Sequence, residues 1–198
     1  MNNKFKFINE CDGLSRIKYP QTGFTLVELM VAVAVLGVVT VFALPNFTAT
    51  IKNNRFSTQA SDLLSDLAFA RSQAATLGLH VSICTSPDTT VPVAALACAT
   101  AGTDWKTGRL IYVDVDASGT YNAGDTLLRV RDALSGGNTL TATGVWAGGT
   151  YRIQYRPSGI PISNIGNLDI CDNRPGATGR RIALSATGRA SSVNLICP

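Results

Sequence analysis

Residues 23–44 read GFTLVELMVAVAVLGVVTVFAL, and this segment determines how the rest of the chain is organised. Its last 21 residues carry one charged side chain, Glu28. At about 1.5 Å per residue, a helix of this length is sufficient to cross the hydrocarbon core of a bilayer. The segment therefore predicts a transmembrane helix over residues 24–44.

Two common kinds of apolar segment explain this stretch less well. The hydrophobic region of a secretory signal peptide is shorter and ends at a small-residue cleavage site, whereas Pro45, Asn46 and Phe47 follow here. An ordinary transmembrane anchor does not account for Glu28, because a charge inside hydrocarbon costs about 3 kcal/mol or more and usually has a partner. Pro45 ends the apolar run, and we expect it to kink or locally unwind a continuous helix.

The sequence GFTLVE at residues 23–28 resembles the prepilin processing site of type IV pilins and type II secretion pseudopilins. In that family a prepilin peptidase in the membrane cuts after the glycine and methylates the new N-terminus. The resemblance implies cleavage after Gly23 and methylation of Phe24. It also implies that Glu28 pairs with the terminal ammonium of a neighbouring subunit during assembly. Residues 1–23 would then be a leader, whose excess of basic side chains would hold it on the cytoplasmic side.

Beyond residue 45, apolar side chains recur at spacings of three and four, which predicts an amphipathic helix over residues 45–78. We expect it to be continuous with the membrane segment as far as Leu77 and to end at Gly78. Polar side chains such as Asp66 are expected on its outward face. The apolar stripe predicted to pack on a sheet comprises Phe47, Ile51, Ala60, Leu63, Leu64, Leu67, Ala70 and Ala74.

Residues 79–198 are predicted to form a β-rich head. Short runs rich in β-branched and aromatic residues alternate with turn residues, which is typical of strands. The predicted strands lie at residues 79–84, 109–114, 126–130, 139–143, 151–155, 169–171, 180–185 and 192–196. One long helix followed by antiparallel strands indicates an α+β fold of the type IV pilin kind, with the helix cradled by one sheet or by two small sheets.

Several stretches of the head resemble the GspH/FimT branch of minor pilins and pseudopilins, which includes FimU. The stretch DWKTGRLIYVD at residues 104–114 fits that branch's W-x-x-G-x-x-V/I-F/Y pattern, as do YRPSG at 155–159 and RRIALSATGR at 180–189. The resemblance implies a minor subunit that is incorporated into a type IV pilus or primes its assembly, with other minor and major pilins as partners. The implied location is the inner membrane, with a periplasmic head, and then the filament. A minor pseudopilin of a type II secretion system is the alternative.

Five cysteines are present, and Cys11 lies in the predicted leader. The other four suggest two disulfides formed in an oxidising compartment. Of the three possible pairings, Cys84–Cys98 with Cys171–Cys197 closes two modest loops and requires the least rearrangement of the chain. A zinc site is the competing explanation, but the sequence has no C-x-x-C pair and only one histidine.

The hairpin sequence at residues 114–125 has the spacing of a calcium-binding loop. Oxygen-bearing side chains fall at the first, third, fifth, ninth and twelfth places, with a glycine sixth. An Asp/Ser/Gly/Asn hairpin tip produces the same pattern without metal. Both interpretations stay open, and no other cofactor is expected. The candidate calcium ligands are Asp114, Asp116, Ser118, Asn122 and Asp125.

Neither a nucleophile elbow nor a phosphate-binding glycine loop is present in the sequence, so we expect a protein that is not an enzyme. A DNA-binding minor pilin for natural transformation, with double-stranded DNA as its partner, is a second alternative, since the FimT members of the branch bind DNA in that process through a basic C-terminal G-R-x-R motif. Arg180 and Arg181 follow one glycine and Arg189 follows another, but Ser191 stands where the motif has its second arginine. Phosphate binding depends on clustered cations, so these three arginines are the candidate DNA contacts.

Overall fold

The computed structural model describes residues 23–144, 149, 151–162, 166–172, 174, 176 and 178–198, without the side chains of residues 41–46. The chain divides into two compact units, residues 1–46 and residues 47–198. Apart from Gly23, the predicted leader lies outside the described residues, and so does Cys11.

The first element is a single long helix, α1 (Leu26–Leu77). Thr25 caps its start, because the Thr25 hydroxyl oxygen accepts a hydrogen bond from the backbone N–H of Glu28 at 3.2 Å. The helix ends at Gly78, as predicted, and the φ of +66° there is in the left-handed region that favours glycine. Since α1 is helical across residue 45, the local unwinding expected as one effect of Pro45 is wrong, whereas the kink, the other expected effect, stays a prediction.

In the second unit, α1 buries one apolar stripe whose members follow one another at steps of four and three residues. These steps place side chains on one face of a helix. Phe47 and Ile51 remain 65% and 42% exposed, so the prediction that they pack on a sheet is wrong. The strands cover the apolar stripe of the helix only from Phe56 onward. The buried stripe, each member at most 4% exposed, is Phe56, Ala60, Leu63, Leu67, Ala70 and Ala74.

All eight predicted strands are present, with ends that differ from the predictions by at most two residues. The loop between the first two strands carries a short 3-10 helix, Val93–Ala95. The strands are β1 (Val81–Thr85), β2 (Arg109–Val113), β3 (Thr126–Arg131), β4 (Thr139–Thr143), β5 (Arg152–Tyr155), β6 (Asn167–Cys171), β7 (Thr178–Leu184) and β8 (Ala190–Ile196).

The strands form two four-stranded sheets, in the orders β3-β2-β1-β5 and β4-β6-β7-β8. Every neighbouring pair is antiparallel. Side chains from both sheets join the helix stripe in one apolar core, so of the two expected arrangements, one sheet or two small sheets, the second is observed. The larger contributors from the strands are Tyr155, Ile83, Ile111, Ile153, Leu140, Leu168, Ile170 and Ile182.

The W-x-x-G stretch has a structural role between the sheets. Trp105 is fully buried in the core, and its backbone N–H donates to the Leu140 carbonyl at 2.7 Å. Gly108 has a φ of +122°, and a Cβ there would lie 2.7 Å from the Arg131 carbonyl oxygen. Only glycine fits that backbone conformation and that space. The motif therefore fixes how the chain enters β2.

Candidate functional site

The start of the described chain presents an apolar surface. The Phe24 side chain is 85% exposed, and every large apolar side chain from Leu26 to Val39 is more than half exposed. Glu28 lies in the first helical turn and is exposed among them. Large exposed apolar patches mark surfaces that bind a partner or a membrane.

Among the described residues, no helix combines the length and the hydropathy that crossing a membrane requires.

Both expected disulfides form. Cys84 in β1 bonds to Cys98 with an S–S distance of 2.00 Å and fastens the long β1–β2 loop to the first sheet. Cys171 at the end of β6 bonds to Cys197 at 1.99 Å, which ties the C-terminus across the second sheet. Gly179 lies beneath this second bond, since a Cβ there would come within 2.5 Å of the Cys197 sulfur.

The β2–β3 hairpin brings three of the predicted calcium ligands together. One carboxylate oxygen from each of Asp114, Asp116 and Asp125 lies within 4.8 Å of the other two. The other two candidates sit in the same turn but are engaged differently. The Ser118 hydroxyl donates to the Thr120 carbonyl at 3.2 Å, and the Asn122 amide donates to Asp116 at 3.1 Å.

Asp114 is the buried member of this group, with no exposed surface. Its Oδ2 accepts hydrogen bonds from the Ser82 hydroxyl, the Gly119 N–H and the Gln154 amide, at 2.7 to 2.8 Å. Burial raises the pKa of the Asp114 carboxyl above its ordinary value, although the bonds from Ser82 and Gly119 act in the opposite direction.

The three arginines proposed for DNA contact lie apart. Arg180 and Arg181 are consecutive in β7 and so point to opposite faces of the sheet. Arg181 donates to both carboxylate oxygens of Asp169 at 2.7 Å, which neutralises its charge. Arg180 donates to the Asn194 side chain. Arg189 lies in the β7–β8 turn beside Ser185, whose N–H donates to the Arg189 carbonyl. Ser185 is four residues beyond Arg181, which is roughly 13 Å along the strand at about 3.3 Å per residue.

This dispersal weakens the resemblance to a DNA-binding motif. The Gly188-Arg189 pair is part of a tight turn, in which the Gly188 N–H donates to the Ser185 carbonyl at 2.8 Å. A Cβ on Gly188 would lie 2.5 Å from the Gly159 carbonyl oxygen. Its glycine is therefore explained by packing, and DNA binding stays a prediction.

Sequence reasoning missed a buried cluster of charges. Asp66 was expected on the outward face of the helix, but its side chain is fully buried, so that prediction is wrong. It lies on the same helix face as Leu63 and Ala70, three and four residues away. Arg109, Arg129 and Arg131 each donate to its carboxylate at 2.6 to 3.1 Å.

The arginines surround Asp66 because β2 and β3 place them on one face. Arg109 pairs directly with Arg131 across the two strands, and Arg129 is two residues from Arg131. Burial would raise the pKa of Asp66. The hydrogen bond from Arg131, the charge of Arg109 and the bond from Arg129 outweigh it, so the pKa is held below its ordinary value. A carboxylate inside an apolar stripe, opposite strands rich in arginine, was the signal in the sequence.

The comparisons with known proteins agree with this architecture. Residues 59–188, more than half of the chain, match the family described as type II transport protein GspH. Residues 18–44 match the prokaryotic N-terminal methylation motif. No curated protein sequence matches the chain significantly.

Two solved structures are similar in fold, and both are crystal forms of the type IV minor pilin FimU of Pseudomonas aeruginosa. One superposes with a TM-score of 0.51 at 21% identity, and the match covers 74% of this chain and 91% of the crystallised FimU chain. The other has a TM-score of 0.49 at 22% identity, covering 69% and 91%. The family consists of structural subunits, and catalysis is not known in it. With its methylation motif and its helix packed on two sheets, the chain belongs to the GspH family of minor pilins and pseudopilins.

Proposed function

We propose that this chain is a minor type IV pilin that is incorporated into a pilus or primes its assembly. The observation that carries the proposal is the exposed apolar start of α1, which directly follows a processing motif. Residues 24–44 carry one charged side chain, Glu28, and the large apolar side chains from Phe24 to Val39 are exposed. Neighbouring apolar helices or lipid would cover such a surface, because burying apolar area releases about 25 cal/mol per Å².

Processing would create the assembly-competent N-terminus. The methylation motif spans residues 18–44 and so includes the bond between Gly23 and Phe24. Both residues are exposed, which leaves this bond accessible to a prepilin peptidase. Cleavage after Gly23 removes the leader, residues 1–23, and frees the amino group of Phe24. Transfer of a methyl group from a methyl donor to that amine then gives the first group of the mature chain.

Glu28 would then select how subunits dock. Thr25 caps α1 and sets Glu28 in the first turn, where a carboxylate is favoured by the partial positive charge of the helix N-terminus. In an apolar bundle of helices, a lone carboxylate is costly unless a cation lies beside it. The N-terminal ammonium of a neighbouring subunit would supply that cation and fix the axial register between subunits.

Each segment of the chain would have its own role in the subunit. Residues 24–44 would anchor the subunit in the inner membrane and later in the filament core, and residues 45–78 would join the anchor to the head. Residues 79–198 would form the periplasmic head, whose two disulfides suit an oxidising compartment. Partners would be other minor and major pilins.

A minor pseudopilin of a type II secretion system is the second candidate, since the matched family is described as a type II transport protein. The two candidates would use the same apolar N-terminal helix for assembly, but they would belong to different filaments, a type IV pilus or the pseudopilus of a type II secretion system. Deletion of the gene in the native host separates them. Loss of twitching motility with intact secretion supports the pilus, whereas loss of secreted enzymes with intact motility supports the pseudopilus.

Replacement of Glu28 tests the assembly step. We expect Glu28→Ala to leave cleavage after Gly23 and the fold of the head unchanged, while the subunit disappears from sheared filaments. Asp62→Ala is the matched control, because it removes an exposed carboxylate from the same helix. Mass spectrometry of the native protein should show a chain starting at methylated Phe24. An intact leader there would overturn the proposal, and normal incorporation of Glu28→Ala would remove Glu28 from it.

A further inference from the structure

Three carboxylates lie close together where the β2–β3 loop joins its two strands. Val113 pairs with Thr126 across the two strands, so Asp114 and Asp125 flank the last pair and face one another. Asp116 extends from the loop between them, and the three carboxylates approach within 4.8 Å. Unit charges at such distances repel strongly, and the repulsion grows where one of them is buried.

One oxygen of Asp114 has no hydrogen-bond donor among the described residues. The Oδ1 atom is buried without a partner, whereas Oδ2 of the same carboxylate accepts three hydrogen bonds. The three donors fix the orientation of the carboxylate, so Oδ1 has a defined position in the cluster. Leaving a buried charged acceptor unsatisfied is costly, and such groups in proteins usually have a partner.

The loop wraps closely around this position. Ala117 and Gly119 both adopt left-handed φ angles, +56° and +72°, which turn the chain back toward Asp114. Arg152 brings a positive charge to the loop, since its guanidinium donates to the Ser118 carbonyl at 3.0 Å. Three carboxylates against one guanidinium leave two negative charges in excess, the charge that a divalent cation balances.

We propose that the β2–β3 hairpin binds a calcium ion through Asp114, Asp116 and Asp125, with Asp114 Oδ1 as the buried ligand. All candidate donors are oxygen atoms, which hard cations prefer and which disfavours zinc. Calcium accepts six to eight oxygen ligands in flexible geometry, so backbone carbonyls and water can complete a loop of this kind. Magnesium requires a smaller and nearly octahedral arrangement.

The site has a structural consequence for the head. A cation shared by Asp114, Asp116 and Asp125 joins the end of β2 to the start of β3 and holds the exposed hairpin tip in one conformation. Calcium modules that work outside the cytoplasm bind with a Kd of about 10⁻⁴ to 10⁻³ M. The inference is independent of which filament the subunit enters.

Terbium luminescence measures binding directly. Tyr121 lies within the loop and its ring is 5.3 Å from that of Tyr112, so a lanthanide at the site has tyrosine donors nearby. With the full-length chain in detergent after chelation, we expect tyrosine-sensitised terbium emission that calcium displaces. Asp116→Asn should abolish the emission, and Asp88→Asn, an exposed carboxylate in another loop, should not.

Thermal unfolding gives a second readout. At about 10 mM calcium, a Kd of 10⁻⁴ to 10⁻³ M lowers the unfolding equilibrium constant by about 10- to 100-fold. Asp116→Asn and Asp125→Asn should lose this effect. In chelator, Asp116→Asn should be at least as stable as the unsubstituted chain, because it removes one of three carboxylates that repel one another. Calcium stabilisation that persists in both variants, an equal effect of magnesium on all chains, or no response to calcium and terbium would each overturn the proposal.

Discussion

Replacement of Asp66 by asparagine tests the buried charge cluster most directly. The Asp66 side chain is fully buried, and Arg109 is only 3% exposed. Asparagine keeps nearly the same shape but removes the negative charge. Arg109 and Arg131 then face each other across neighbouring strands, with Arg129 close by and no buried carboxylate to compensate them.

The cost follows from the burial of the cluster. Breaking a buried ion pair by removing one partner destabilises a protein by about 3–5 kcal/mol, because a charge is left in a medium of low polarity. Arg129 and Arg131 are about one-third exposed, so water relieves part of their share, and we expect a value near the lower end, about 3 kcal/mol. For a domain of this size, each kcal/mol changes the Tm by roughly 2–4 °C, so the Tm should fall by about 6–12 °C.

Calorimetry of the full-length chain in detergent measures this change. Asp62→Asn is the matched control, since Asp62 lies one turn earlier on the same helix and acts on Arg109 and Arg131 but is exposed. We expect the control to change stability by no more than about 0.5 kcal/mol. If Asp66→Asn and Asp62→Asn lower the Tm equally, burial of the Asp66 carboxylate among the arginines does not add to the stability of the head.

The same cluster predicts a dependence on pH. The pKa of Asp66 is held below its ordinary value of 3.8 in the folded chain, so the folded state favours the ionised carboxylate. Its stabilising contribution is therefore complete above the unfolded-state pKa and is lost as the pH falls through the folded-state pKa. The Tm difference between the original chain and Asp66→Asn should stay constant from pH 7 to about pH 5 and shrink below about pH 4. A difference that grows on acidification would contradict this assignment.

Three further predictions concern the head. Gly188→Ala should destabilise more than Gly137→Ala in thermal unfolding: both positions have positive φ, but only at Gly188 would the new Cβ meet a backbone carbonyl, at 2.5 Å. An equal loss would show that backbone conformation alone matters. Replacing both cysteines of Cys171–Cys197 by alanine should cost about 3.5 kcal/mol in urea unfolding, since the bond closes a loop of 26 residues, and an unchanged midpoint would refute this. Finally, gel shifts at low salt should show weak DNA binding or none, because the arginines are dispersed; tight binding lost in Arg180→Gln with Arg189→Gln would support double-stranded DNA as a partner.

Periodic and local signals were read correctly from the sequence. Heptad-like spacing from Ala60 to Ala74 identified the buried helix face, and alternation between strand residues and turn residues located all eight strands. The disulfide pairing also followed from the chain, because cysteines close in sequence are joined with the least rearrangement. The helix face and the strands depend on residues a few positions apart in the sequence, and the disulfide pairing depends on loops short enough to limit which cysteines can meet.

The positions of Phe47, Ile51 and Asp66 were predicted wrongly for one common reason. Helical spacing shows which side chains share a face, but it does not show where the strands begin to cover that face. Phe47 and Ile51 lie before the covered part, and Asp66 lies within it. A charge at a covered position is tolerated only because three arginines from β2 and β3 arrive there, and strand pairing alone determines that.

The sequence by itself determined the family, the processing motif and the succession of one helix and eight strands, because these are written in composition and spacing along the chain. Tertiary structure decided which charges are buried, which arginines are neutralised and which carboxylates converge. Asp114 shows the difference. Its place in a calcium-like spacing is visible in the sequence, but the unpartnered buried oxygen exists only because Ser82, Gly119 and Gln154 occupy the other one. Ser82 and Gln154 lie on strands distant in sequence from Asp114, and only the fold brings them to it.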